Sequence, residues 1–388
     1  MLSMTDVKPD APDIVYWHNF LNLMVLDVKS NSLAFGVTAT GSIAGSYQKA
    51  ARYMKTDKSD ILTLLRNSED YVSGQQLCDR FGVTRTAVWK VINQLKEEGY
   101  QIESVSGRGY RLVEGPVDMM SGSEIASRLR TRWAGRKLYY LESTGSTNTD
   151  AKRFGEEGDP HGTTVVADIQ TAGKGRRGRQ WQSLPGTSLS FTILLRPDFV
   201  PDKASMITLV MALSVAEAVE ETTGAEVGIK WPNDIVMNRK KICGMLTEMT
   251  MTPEMDEIQY VVVGAGINVN NGSPEEFQED IRPTATSLRI ETGRQYNRAE
   301  LLDKVLMRFE ENYETFLETL DLSGLRERYQ KHLLNMGAQV RVLDPAGEYT
   351  GVSEGIDSQG ELIVVKENGE KIPVYAGEVS VRGLYGYV

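Results

Sequence analysis

The hydrophobic period of this chain changes along its length, and each change limits what the segment around it can become. Over residues 56–114 the pattern is helical three times and then alternating. Ser59 is placed to cap a helix carrying Ile61, Leu62, Leu64 and Leu65, and Ser73 starts a short helix with Leu77 and Phe81 that Gly82 stops. Thr84 caps a third helix whose Ala87, Val88, Val91, Ile92 and Leu95 form the expected buried stripe, ended by Gly99. Two short strands, YQIESV and YRLV, follow around Ser106–Gly109, a hairpin-turn composition. Three helices and a hairpin predict a winged helix-turn-helix. After the Glu114-Gly115-Pro116 linker the pattern changes again. Helical stretches at 122–131, 147–157, 203–222 and 299–319 alternate with strand stretches at 163–169, 188–195, 226–231, 241–249 and 258–269, the pattern of an α/β unit. From Gly337 only short strands and turns remain, so a small β-barrel is expected. Residues 1–53 hold neither period for long, and deleting them is expected to change neither activity nor stability.

Composition narrows the function classes. Lys and Arg total 43 against 53 Asp and Glu, a net charge of −10, which argues against wholesale polyanion binding. No apolar run reaches the roughly 18 residues of a membrane span, and Asp6, Asp10 and Asp13 against Lys8 do not make a secretory signal. Cys78 and Cys243 are far apart, and His18, His161 and His332 have no ligand spacing. A cytoplasmic protein that binds no membrane is expected.

Chemistry is concentrated in a few short segments. Thr171–Trp181, TAGKGRRGRQW, interleaves Gly173, Gly175 and Gly178 with Lys174, Arg176, Arg177 and Arg179 directly after a strand pattern. Glycines admit close backbone approach, and the cations suit phosphate or carboxylate. Taken alone this is also compatible with an exposed basic loop. Self-repulsion and chain entropy predict that it orders only on an anionic ligand. It is no Walker loop, and VVVGAGINV lacks the third glycine of a dinucleotide fingerprint. KWPNDI, Lys230–Ile235, follows a strand and presents Asn233 and Asp234 at its end; alone it is equally a plain turn. Lys241 enters the next strand, either as a solvated hairpin lysine or aimed at developing negative charge. In GSTN, Ser146 or Thr147 is positioned to cap the helix that follows or to bind a small polar group. Gly264, Gly266 and Asn268 end an apolar strand, as packing glycines or as a backbone wall against a flat ring.

In this order, GSTN, QTAGKGRRGRQW, KWPND, KKICG and GAGIN resemble the biotin–protein ligase family. With the flanking winged helix-turn-helix and β-barrel, the chain is similar to the bifunctional form that is also the biotin operon repressor, over about 56–388. The resemblance implies an α+β multidomain protein. Residues 1–55 would be an extension, 56–115 a winged helix-turn-helix, 116–334 a mixed α/β, class II synthetase-like ligase domain, and 335–388 an SH3-like β-barrel. It implies that biotin and ATP, with Mg2+ as the ATP complex, give biotinyl-5'-AMP, and that biotin then passes to a lysine of a biotin carboxyl carrier protein. By the same resemblance Ser146, Thr147, Asn148, Gln170, Gly173, Lys174, Gly175, Arg176, Lys241, Gly264 and Gly266 would hold biotin. Arg176, Arg179, Trp181, Asn233, Asp234 and Asn268 would face the nucleotide, and Lys241 and Arg176 would carry the catalytic charge. Lys174 stands where the motif often has Arg, retaining charge but not bidentate geometry. The acidic segment NGSPEEFQED after Asn270 offers no adenine-capping aromatic that the sequence can place.

For DNA, the small domain holds eight Lys/Arg against nine Asp/Glu over 56–115. Its third helix nevertheless groups Arg85, Thr86, Trp89, Lys90 and Asn93 opposite the core stripe, and Arg108 tips the wing. Operator DNA is the expected partner, bound as a homodimer formed when adenylate is present. A lipoate-type ligase and a non-catalytic ligand-sensing regulator are the alternative functions.

Overall fold

The computed structural model describes residues 58–115, 117–252, 257–344, 347–375 and 380–383, with the backbone of three strands upstream. Those strands, Ile14–Asn19, Asn22–Asp27 and Ser32–Leu33, pair as an antiparallel sheet in a segment where no lasting period is legible.

The winged helix-turn-helix is present as α1 (Lys58–Arg66), α2 (Gly74–Phe81), α3 (Arg85–Glu97), β1 (Gln101–Val105) and β2 (Gly109–Glu114). Ser73 forms a capping box with Gln76, Gly82 ends α2 at φ 66°, and Thr84 caps α3 by accepting from the Ala87 N–H. Two local expectations fail. Ser59 lies inside α1, which begins one residue earlier, so it is not the cap. Ala87 is exposed: Val88, Ile92 and Leu95 define the buried stripe at i, i+4 and i+7, and Ala87 is turned about 100° from it. With Ile61, Leu62, Leu65 and Leu77 these residues form a core of their own.

The central unit is one seven-stranded sheet. Its strands are β3 (Leu138–Thr144), β4 (Thr164–Gln170), β5 (Ser188–Leu195), β6 (Gly228–Lys230), β7 (Asp234–Met237), β8 (Lys240–Met251) and β9 (Ile258–Asn268). They lie in the order β6-β7-β8-β9-β5-β4-β3. Only β3 and β4 are parallel, and α5 (Thr147–Glu156) is their crossover. The sheet is therefore mixed, and β7 is a strand that follows the WPN turn directly. Val261, Val263, Phe191 and Ile193 pack with the long helices α6 (Met206–Thr223) and α8 (Arg298–Thr319), separated in sequence by short α7 (Leu288–Thr292). On the opposite face Val165, Leu194 and Val262 pack with Ala151 and Phe154 of α5.

After α9 (Arg326–His332) come β10 (Gln339–Leu343), β11 (Tyr349–Ile356), β12 (Leu362–Val365), β13 (Lys371–Val374) and β14 (Ser380–Gly383). They form a five-stranded antiparallel sheet in the order β13-β12-β11-β10-β14. Val340, Val342, Ile356 and Leu362 join the central core, and the Trp231 indole N–H donates to the Gly360 carbonyl at 3.0 Å.

One buried carboxylate ties the small domain to the central unit. Glu124, on α4 (Gly122–Arg128), is 1% exposed and accepts from Arg66 of α1 at 2.8 Å, from the Tyr100 hydroxyl and from Arg128. Burial and the Glu124 bond push the Tyr100 hydroxyl well above its ordinary pKa. Glu124→Ala strands these donors, so stability to urea is expected to fall by about 1–3 kcal/mol. A change of under about 0.5 kcal/mol, the usual size for a neutral surface substitution, would show that the carboxylate is no tie.

Candidate active site

On the α5 side of β5 and β9 the side chains shrink towards one end. The register pairs Leu194 with Val262, then Thr192 with Gly264, Ser190 with Gly266 and Ser188 with Asn268. Gly244 of β8 lies across from Gly266. The glycines of this strip form the floor of the site, with the buried hydroxyls of β5 beside them. A Cβ on Gly264 would fall 2.0 Å from Asn148 Oδ1, and one on Gly266 2.4 Å from Trp181 Cε2, so only glycine admits these neighbours.

The start of α5 meets one end of this floor. Ser146 occupies the cap position but makes no capping bond with its side chain. Gln170, at the end of β4, takes over that role: its Oε1 accepts from the Thr147 N–H at 2.8 Å and lies 3.1 Å from the Thr147 hydroxyl. The plain capping reading of Ser146 is therefore unnecessary, and its hydroxyl lines a cavity.

The glycine- and arginine-rich segment crosses the floor as a hairpin. Gly173 pairs with Trp181 and Lys174 with Gln180, and the Gly175 N–H donates to the Arg179 carbonyl at 2.7 Å. Arg177 takes the left-handed turn at φ 58°. This pairing, with Trp181 seated against Gly266, gives hairpin geometry to the segment that the sequence reading expected to order on an anionic ligand. Arg176 reaches across to donate to Asn233 Oδ1 at 3.1 Å. Beyond it the Lys241 ammonium meets Asp234 at 2.6 Å, while the Lys241 backbone bonds to Thr284 and Thr286.

These parts enclose one cavity of about 880 Å³. Ser146, Thr147, Asn148, Gln170, Lys174, Gly175, Arg176, Arg179, Trp181, Asn233, Asp234, Lys241, Gly264, Gly266 and Asn268 all line it. Gly173 is not among the lining residues; it is buried, and a Cβ there would strike the Trp181 carbonyl at 2.4 Å. Sequence reasoning missed Lys230, a nearly buried lysine ending β6, and Phe277, which with Ile281 and Ala285 forms a wall opposite the sheet. The only signal for Phe277 was one aromatic among acidic residues. Two buried polar atoms near Gly266, Trp181 Nε1 and Ser190 Oγ, have no hydrogen-bond partner within the protein. Among the described residues no cluster of His, Cys, Asp and Glu is arranged to hold a metal, and no helix is long and apolar enough to cross a membrane.

On the small domain, Arg85, Thr86, Trp89 and Lys90 are exposed along α3, with Trp89 at 59%. Arg85 donates to Gln75 at 3.0 Å. Arg108 is exposed too, but it pairs with Asp70 at 2.9 Å and lies over the Tyr71 ring. An exposed pair of this kind contributes about 0–1 kcal/mol and is readily exchanged for a phosphate.

Comparison with known proteins matches the Biotin/lipoate A/B protein ligase family over residues 140–268, an HTH domain over 58–111 and the Biotin protein ligase C terminal domain over 336–382. The chain is 36% identical over 327 residues to the Bifunctional ligase/repressor BirA of Bacillus subtilis (strain 168), covering 84% of this chain and 99% of that one. The Escherichia coli (strain K12) protein of the same name is 30% identical over 323 residues, 83% of this chain and 96% of the relative. Among solved structures, a biotin protein ligase from Aquifex aeolicus in complex with biotin and ATP aligns with a TM-score of 0.56 and 35% identity, over 64% of this chain and 99% of that one. The chain belongs to the bifunctional ligase/repressor family of biotin protein ligases.

Proposed function

We propose that this protein joins biotin to ATP, passes the biotinyl group to a lysine of a biotin carboxyl carrier protein, and represses transcription through its winged helix-turn-helix. The observation that carries this reading is that one cavity holds both a small polar end, Ser146, Thr147 and Gln170, and a cationic side with Lys174, Arg176, Arg179 and Lys241. The polar end offers the hydroxyl and amide groups that a ureido ring needs. The cationic side is suited to two anions that repel each other as they meet.

In the first step a biotin carboxylate oxygen attacks the α-phosphorus of ATP and the bond to pyrophosphate breaks, leaving biotinyl-5'-AMP. Arg176 and Lys241 offset the charge that collects on the phosphate; Asp234 holds the Lys241 ammonium in place until ligand oxygens compete for it. Asn233, Asp234 and Asn268 face the nucleotide side, and Phe277 supplies an apolar wall suited to a base. Magnesium would arrive with ATP and neutralise phosphate charge. In the second step the deprotonated carrier lysine attacks the acyl carbon and AMP leaves. Residues 116–334 would carry this chemistry, 335–388 would buttress it and 56–115 would read operator DNA through Arg85, Thr86, Trp89, Lys90 and Arg108. Adenylate-promoted homodimerisation would then let repression follow spare biotin. A cytoplasmic setting suits these substrates and the two free cysteines.

The direct test is labelled biotin, ATP and an apo-carrier domain, with lipoate as competitor. ATP-dependent labelling that lipoate does not displace is expected; labelling with lipoate instead, or binding without turnover, would replace this reading by one of its alternatives. Lys241→Ala is expected to slow biotin-dependent pyrophosphate exchange by about 10²–10³-fold, the usual loss on removing a group that stabilises developing charge. Its melting temperature should hold; wild-type exchange would remove Lys241 from the site. Arg85→Ala or Trp89→Ala is expected to abolish binding to an operator selected from random DNA while ligase activity stays within a few-fold, and joint loss of both activities would contradict the separation of roles.

A further inference from the structure

Glu248, on β8 behind the polar end of the cavity, is used by no step above. It accepts from Lys152 at 2.7 Å and from Asn148 Nδ2 at 2.8 Å. Burial pushes its carboxyl pKa up, but these bonds, with the charge of Lys174 nearby, outweigh burial and hold it below the ordinary range. Asn148 Nδ2 also donates to the Leu246 carbonyl at 3.2 Å. Both groups can only accept, so the Asn148 amide cannot turn over, and its Oδ1 must face Thr192.

The rest follows from counting protons. The Thr192 hydroxyl, fully buried, lies 2.7 Å from Asn148 Oδ1 and 2.8 Å from Thr147 Oγ1, and it has one proton. Asn148 Oδ1 cannot donate, so that proton goes to it. With that proton on Asn148, the 2.8 Å contact between the two hydroxyls is a hydrogen bond only if Thr147 donates in it, and Gln170 Oε1 at 3.1 Å is the other inward acceptor. What remains towards the cavity is a lone pair. Gln170 is fixed likewise, because its Oε1 is held by the Thr147 N–H and its Nε2 is left beside Gly173.

We propose that Glu248 is a positioning residue which, through Asn148 and Thr192, sets the Thr147 hydroxyl as an acceptor for a ligand N–H. This rests on the biotin reading, in which that donor is a ureido N–H. A ligand that offers only acceptors at this point would meet a lone pair and be rejected. The charge on Glu248 sets the direction of the chain without touching the ligand.

Biotin titration by calorimetry tests this on the full chain. Glu248→Gln replaces a group that can only accept by an amide that can also donate, leaving the Leu246 carbonyl at 3.2 Å as the one remaining group that fixes the Asn148 amide, so the direction of the chain and of the Thr147 proton is less firmly set. Biotin affinity is expected to fall about tenfold or more, with ATP affinity and melting temperature near wild type. The double variant Thr147→Val, Glu248→Gln closes a cycle: without the Thr147 hydroxyl, Glu248→Gln is expected to change biotin affinity by less than about twofold, a coupling that a purely structural role would not produce. Unchanged biotin affinity in Glu248→Gln, or the same loss with and without the Thr147 hydroxyl, would overturn the assignment. Absence of biotin binding by the wild-type protein would instead overturn the biotin reading itself.

Discussion

Trp181 can lie against strands β8 and β9 because Gly244 and Gly266 face each other across the ladder with no side chains between them and the indole. That approach anchors one end of the Gly173–Trp181 hairpin, and the hairpin carries the cations. Without it, Arg176 would have no fixed path to Asn233, and a loop with four positive charges in six residues would repel itself into solvent. The neighbouring glycine, Gly264, admits Asn148 in the same way and so connects the floor to the start of α5. Three glycines on two neighbouring strands, Gly244, Gly264 and Gly266, thus position both the charged and the uncharged halves of the cavity.

The electrostatics follow from this geometry. The cavity's cations are held by partners that a ligand can displace or share: Lys241 by Asp234, Arg176 by Asn233. Preorganised in this way they need little reorganisation when two anionic substrates enter, and that economy is where electrostatic catalysis gains most. At the uncharged end the contributions are hydrogen bonds of fixed direction, which discriminate among ligands more than they attract them. The remote carboxylate Glu124 does comparable work at the junction with the small domain, where three donors converge on one buried group.

Much of this was legible in the sequence because it is local. The caps of α2 and α3, the stop at Gly82 and the alternating wing are decided by residues a few positions apart. The glycine-rich segment concentrates its chemistry in eleven consecutive residues and could be read as an anion site without knowing its surroundings. The misreadings of Ser59 and Ala87 are displacements of two residues and one, enough to move a side chain from cap to helix or from core to solvent. What could not be read is set by register. Thr192 faces Gly264 and Glu248 faces Val262 only once β5, β8 and β9 are aligned, and Asn148 lies 100 residues from the carboxylate that orients it. Phe277 joins the cavity from a short turn that no periodicity marks.

The claim on which the account rests is that the glycine floor, through Trp181, brings carboxylate and phosphate together. Gly266→Ala tests it most directly, because the nearest protein neighbour of the added methyl would be the Trp181 indole, at 2.4 Å. Biotin-dependent pyrophosphate exchange should then fall at least tenfold in kcat/KM, with overpacking lowering stability by only about 1–3 kcal/mol. A variant that exchanges pyrophosphate at the wild-type rate would show that the floor does not position the loop, and the account would fail.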